Sequence, residues 1–88
     1  MSDEQLRRSL TDLRSELERL AADEAHVRER LDALAGAIET RLDAPDDRAH
    51  HHSLVEDLRR SILQFEVSHP RATGILNKVM AALGNVSS

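Results

Sequence analysis

The sequence predicts an all-α fold: a long antiparallel helical hairpin whose return limb is kinked or broken near Pro70, and which associates into a helical bundle. Three observations predict it. Apolar residues recur with alternating spacings of four and three from Leu6 to Ile38, the heptad pattern of a helix that buries one face. The same spacing returns from Val55 to Val86. Pro45, at the start of a Pro-Asp-Asp run, separates the two series and favours a turn.

The first predicted helix runs from about residue 3 to about residue 42. Its apolar positions form a continuous seam along one face, interrupted by the polar Glu24: Leu6, Leu10, Leu13, Leu17, Leu20, Val27, Leu31, Leu34 and Ile38. The helix is expected to stop near Asp43, because Pro45 disfavours helical geometry at Ala44. At about 1.5 Å per residue this helix would be roughly 60 Å long, which exceeds what a compact domain of this size needs.

A turn at about 43–48 leads to a second helix at about 49–68, whose start the sequence leaves open. Asp46 or Asp47 can serve as its N-cap. Alternatively the helix restarts at Ser53, because Ser53 and Glu56 match a capping box.

Pro70 predicts the end of the second helix and the start of a third, at about 70–84. Proline lacks a backbone donor and disfavours helical geometry at the preceding His69, but it is tolerated in the first turn of a helix. Because the apolar spacing continues through this point, both pieces of the return limb are expected to stack along the first helix. The alternative is that the last helix folds back on the second.

Size and charge limit the class of protein. The 88 residues make a single domain, 1–88, with no cysteine and a net charge of −4. Residues 1–47 hold thirteen acids and seven bases, whereas 48–88 hold three acids and five bases, so the halves are complementary. Without a clustered basic face, and with Phe65 as the only aromatic residue, nucleic acid is not an expected partner. No apolar run reaches membrane-span length, so we expect a cytoplasmic protein and no membrane partner.

Self-association is expected because a two-layer hairpin leaves half of its seam exposed and a small domain has a modest core. A homodimer or higher oligomer that forms a four-helix bundle would bury both seams. Leu63 and Val67 lie one turn apart and off the main seam, within a wide apolar arc. The predicted interface residues are therefore Leu54, Leu63, Phe65 and Val67.

Two polar features accompany the seams. If the hairpin turns near Pro45, residue i faces roughly residue 90 − i, so Glu24 faces His69, and this pair is predicted to fix the register of the helices. His50, His51 and His52 suggest a metal site, but successive residues of a helix point about 100° apart and cannot close on one ion. They are weak metal candidates, and no cofactor is predicted.

The chain resembles a bacterial family of short proteins known as domain of unknown function 4404. The segments that carry the resemblance are Phe-Glu-Val-Ser-His-Pro-Arg (65–71), Leu-Asn-Lys-Val-Met (76–80) and His-His-Ser-Leu (51–54). The chain departs from the family pattern at Ala72, where a larger apolar residue is usual, and in its Gly-Asn-Val ending (84–86). The resemblance implies a helical bacterial protein and supplies no activity, cofactor or catalytic residue.

The predicted function is that of a non-enzymatic helical interaction or scaffold protein that acts through self-association and docks another helical protein. No nucleophile elbow, glycine-rich phosphate loop or metal-protease motif is present, so no catalytic residue is predicted. A histidine-based metal-binding protein is the alternative. A small regulator that binds nucleic acid ranks third.

Overall fold

The structure is a computed structural model that describes residues 2–84, apart from the side chain of Ser2. This part of the chain forms four α-helices: α1 (Ser2–Arg19), α2 (Ala25–Asp43), α3 (Arg48–Phe65) and α4 (Pro70–Ala82). A 3₁₀ turn, Ala22–Glu24, lies between α1 and α2. The described residues contain no strand, and the predicted all-α fold is confirmed. Asn85 and the seam residue Val86 lie outside the described residues.

The prediction of one unbroken helix over residues 3–42 is wrong, because the chain leaves the α-helix at residues 20–24. Glu24 Oε1 accepts a hydrogen bond from the Ala21 N–H at 3.2 Å, and Arg28 Nη2 donates one to the Leu20 carbonyl oxygen at 2.7 Å. These bonds satisfy backbone groups that the two helix ends leave free. Neither proline nor glycine occurs in this segment, which is why local sequence did not reveal the break.

The four helices form an antiparallel bundle in which each helix packs against two others. Helix α1 packs against α2 and α4, and α3 packs against α2 and α4, while α1 and α3 lie on one diagonal and α2 and α4 on the other. Arg30 contacts Ser61 and Glu16 faces Arg71, which lie within one and three residues of the 90 − i positions. The hairpin is folded in half at its two breaks. The molecule is consequently only 37 Å long, shorter than the predicted first helix alone.

The break near Pro70 is confirmed, but the path of the chain after it differs from the prediction. Helix α3 ends at Phe65, residues 66–69 turn, and Pro70 is the first residue of α4, where its missing donor matters least. Helix α4 packs back against α3 as well as against α1. The expectation that both pieces stack along one straight helix is therefore wrong.

The turn between α2 and α3 follows the predicted chemistry. Ala44, before Pro45, is extended with φ −133° and ψ 69°, as steric contact with the proline ring requires. Asp47 is the N-cap of α3, and its Oδ1 accepts a hydrogen bond from the His50 N–H at 3.0 Å. The alternative start at Ser53 is excluded, because Ser53 lies inside α3.

The core runs through the middle of the bundle and contains both seams. Leu13, Leu31, Ile38, Leu58 and Leu76 are completely inaccessible to solvent. Ala72 is also buried in this core. A single chain thus buries the seams that a straight hairpin would expose, and the expectation of an exposed seam is wrong.

Candidate functional site

An exposed apolar patch lies at the end of α3. Leu63 is 72 % exposed and Val67 is 91 % exposed. The two residues are four positions apart, close to one helical turn. We call these two residues the α3 patch. The other two predicted interface residues were assigned wrongly: Leu54 and Phe65 lie in the core of the same chain, because α3 turns their side chains inward to the other helices.

Glu24 and His69 meet, as the hairpin register predicts. His69 Nε2 lies 3.1 Å from Glu24 Oε2, and both side chains are partly buried. The other carboxylate oxygen, Oε1, accepts the Ala21 N–H. The His69 ring also stands edge-on to Phe65, with ring centroids 5.9 Å apart. One carboxylate therefore connects the break between α1 and α2 to the break between α3 and α4. That this pair determines the register stays a prediction.

Two of the three consecutive histidines face α2 at the end of the bundle. His50 Nε2 lies 2.9 Å from the Ala37 carbonyl oxygen; since a carbonyl only accepts, this nitrogen carries the proton and donates. His51 Nδ1 accepts a hydrogen bond from Arg41 Nε at 3.2 Å. His52 is exposed. One nitrogen of each of the first two rings is therefore occupied, and within residues 2–84 no three histidine, aspartate or glutamate side chains form a group that could hold a metal ion.

The comparison with protein families gives one finding. The family model described as Domain of unknown function (DUF4404) matches residues 6–86. The chain belongs to this family. Neither a curated protein nor a solved structure matches the chain significantly. In the described part of this DUF4404 chain, no helix has the length and apolarity that a bilayer crossing needs.

The pKa of His51 in the DUF4404 chain is lowered from its ordinary value of 6.5, first by burial, then by the positive charge of Arg41, and then by His50 and His52. Burial disfavours the charged imidazolium, and a proton on Nδ1 would also displace the hydrogen bond from Arg41. In the pH range between the lowered pKa and 6.5, the unfolded chain binds a proton here that the folded chain does not.

We therefore expect His51 to make the free energy of unfolding decrease as the pH falls below about 6.5. Above about pH 7.5 His51 should contribute no pH dependence. The comparison is with His51→Asn, which isolates the contribution of His51 and whose side-chain oxygen can accept the same bond from Arg41 Nε. Urea unfolding of both proteins between about pH 5 and 7.5 measures the difference. The variant should lose less stability on acidification. An equal or larger loss in the variant would contradict the assignment.

Sequence reasoning missed two polar contacts of this chain. Arg30 Nε donates to the completely buried Ser61 Oγ at 3.2 Å, between α2 and α3. Arg41 and His51 join the same two helices nearer the Pro45 turn. The signal that could have found both is the 90 − i register, which places each arginine within two residues of its partner. No local motif marks either pair.

Proposed function

We propose that this DUF4404 chain is a non-enzymatic helical interaction protein that acts by associating with copies of itself through the α3 patch. The observation that carries the proposal is the exposure of Leu63 and Val67, the two large apolar side chains that the described residues leave mostly in solvent. Each would contribute roughly 1.5–3 kcal/mol if it were fully buried. The core seams do not support the proposal, since one chain already buries them.

The distribution of charge also supports the α3 patch as the surface of self-association. Helices α1 and α2 lie together on one side of the bundle and hold nine acids and seven bases, whereas α3 and α4 lie on the other side and hold two acids and five bases. Arg59 and Arg60 come about one turn before Leu63 and are exposed. These two arginines place positive charge on one side of the α3 patch, with Glu66 on the other side, and they complement the mildly acidic α1–α2 side of a second copy. Such a contact joins two different surfaces and can continue from copy to copy.

Association through this surface is expected to be weak. Two apolar side chains and a few exposed charges make a much smaller contact than the roughly 1,600 Å² of a standard stable interface. Exposed ion pairs add little and are screened by salt. We expect dissociation constants of about 0.1–1 mM, which correspond to roughly 4–5.5 kcal/mol of binding free energy.

The mass of the untagged protein, measured by sedimentation equilibrium up to about 1 mM, tests the proposal. The average mass should rise with concentration, and the rise should shrink at high salt. Leu63→Asp and Val67→Asp should each abolish this salt-sensitive rise, because a buried unpaired carboxylate is costly. Asn77→Asp is the matched control, since it places the same charge on an exposed position of α4, outside both the α3 patch and the α1–α2 side, and should leave association unchanged. A wild-type mass that stays monomeric throughout would refute the proposal.

A further inference from the structure

The folded-in-half hairpin consists of two halves, each made of two helices from distant parts of the sequence. Helices α1 and α4 form one half, in which Arg71 Nε lies 3.9 Å from Glu16 Oε1. Helices α2 and α3 form the other half, held by the contacts of Arg30 with Ser61 and of Arg41 with His51. The halves are joined only at residues 20–24 and 66–69, and they pack against each other through the shared core.

The first junction has the composition of a helix. Between Leu17 and Val27 the chain contains neither proline nor glycine, and alanine, leucine and glutamate favour helix strongly. The apolar spacing also runs through this junction with Glu24 at the interrupted position, so a straight helix would keep the seam residues of α1 and α2 on one face. Straightening would exchange the bonds that Glu24 and Arg28 make at the break for those of a continuous helix.

The second junction can open without unfolding a helix. Residues 66–69 lie between α3 and α4, and Pro70 is already the first residue of α4. Four extended residues span up to about 13 Å, so α3 and α4 can move apart while the proline keeps its place in the first turn. The specific polar link across the two junctions is the Glu24–His69 pair, and it is partly exposed.

We propose that the chain forms an exchanged dimer, in which both junctions open and the α1–α4 half of each copy packs against the α2–α3 half of the other. A second copy of the chain covers the apolar face that opening exposes on each half, because its complementary half carries the same apolar residues that covered this face in the monomer. Every core contact between the halves is made again across two chains, and such an exchange is a low-cost route to a dimer. Glu24 and His69 of both copies then lie near the centre of the dimer.

This dimer does not use the α3 patch, so its test can be kept separate from that of the proposed function. All samples carry Leu63→Asp, which removes patch association. Paired cysteines are introduced into a chain that has none. Arg14→Cys with Glu39→Cys links α1 to α2, positions whose side chains form an ion pair. Glu16→Cys with Arg71→Cys links α1 to α4 and is the control.

The protein is unfolded, refolded at about 1 mM, treated with a short bis-maleimide and separated on a denaturing gel. In an exchanged dimer the 14–39 pair links two chains, whereas the 16–71 pair links positions of one chain. Only intrachain 14–39 products, with a fully reacted control, would overturn the proposal. Interchain products from both pairs would also overturn it, because they would show random contact between molecules.

Two substitutions at the first junction shift the equilibrium in opposite directions. Glu24→Leu removes the carboxylate that accepts the Ala21 N–H and completes the apolar seam of a straight helix, so the dimer association constant should rise by about tenfold. Ala22→Pro should abolish the exchanged dimer, since proline cannot occupy the interior of a straight helix. Circular dichroism checks that both variants are helical. An unchanged monomer–dimer equilibrium in folded Glu24→Leu would contradict the proposal.

Discussion

Replacing Leu58 with alanine is expected to lower the free energy of unfolding by about 2–5 kcal/mol. Leu58 is completely inaccessible to solvent near the middle of α3, so truncation removes apolar contacts and leaves a cavity. A domain of this size has roughly 5–15 kcal/mol of stability in total, and one substitution would remove a large part of it. Urea unfolding followed by circular dichroism measures the change.

The matched control for Leu58→Ala is Leu63→Ala, the same chemical change on the same helix at a side chain that is 72 % exposed. Its effect should stay within about 0.5 kcal/mol, because little apolar surface is buried there. Both measurements are made at low protein concentration, where patch association is absent. Similar losses in the two variants would mean that the inward and outward faces of α3 are assigned wrongly.

Replacing Ala22 with proline is expected to change stability by less than about 1 kcal/mol, whereas replacing Ala33 with proline should cost about 3 kcal/mol or more. Ala22 is the first residue of the 3₁₀ turn, and the preceding Ala21 has φ −70° and ψ 158°, the extended geometry that a residue before proline prefers. Ala33 lies inside α2, where proline removes a helix hydrogen bond and clashes with the previous turn.

This comparison distinguishes the broken helix from the continuous one. In a helix that ran from residue 3 to residue 42, both positions would be interior and both prolines would be severely destabilising. Thermal unfolding of the two variants, followed by circular dichroism, shows which of them is the less stable. A large loss of stability at Ala22, comparable to that at Ala33, would contradict the break at residues 20–24.

Much of the secondary structure could be predicted because its determinants are local. Pro45 and Asp47 act through the geometry and hydrogen bonding of their immediate neighbours. Pro45 placed the turn, and Asp47 was one of three candidates for the start of α3. Pro70 placed the start of α4 for the same reason. The antiparallel register followed from the position of the turn and predicted that Glu24 faces His69, and these side chains lie 3.1 Å apart in the structure.

The patch and the histidine contacts show where prediction failed. Leu54, Phe65, Leu63 and Val67 belong to one apolar arc, and the sequence could not say which of them would meet another helix of the same chain. The structure buries the first two and exposes the last two. The acceptor role of His51 depends in the same way on Arg41, ten residues earlier in the sequence and on another helix.

The sequence by itself determined the all-α class, the seam residues, the two proline-dependent turns and the pairing of α1 with α4 and of α2 with α3. Only the tertiary structure decided that the hairpin folds in half. The physical reason is that residues 20–24 are compatible with both a helix and a turn, so local preference does not choose between them. The turn lets one chain bury both seams in one core, and the hydrogen bonds of Glu24 and Arg28 satisfy the helix ends it creates.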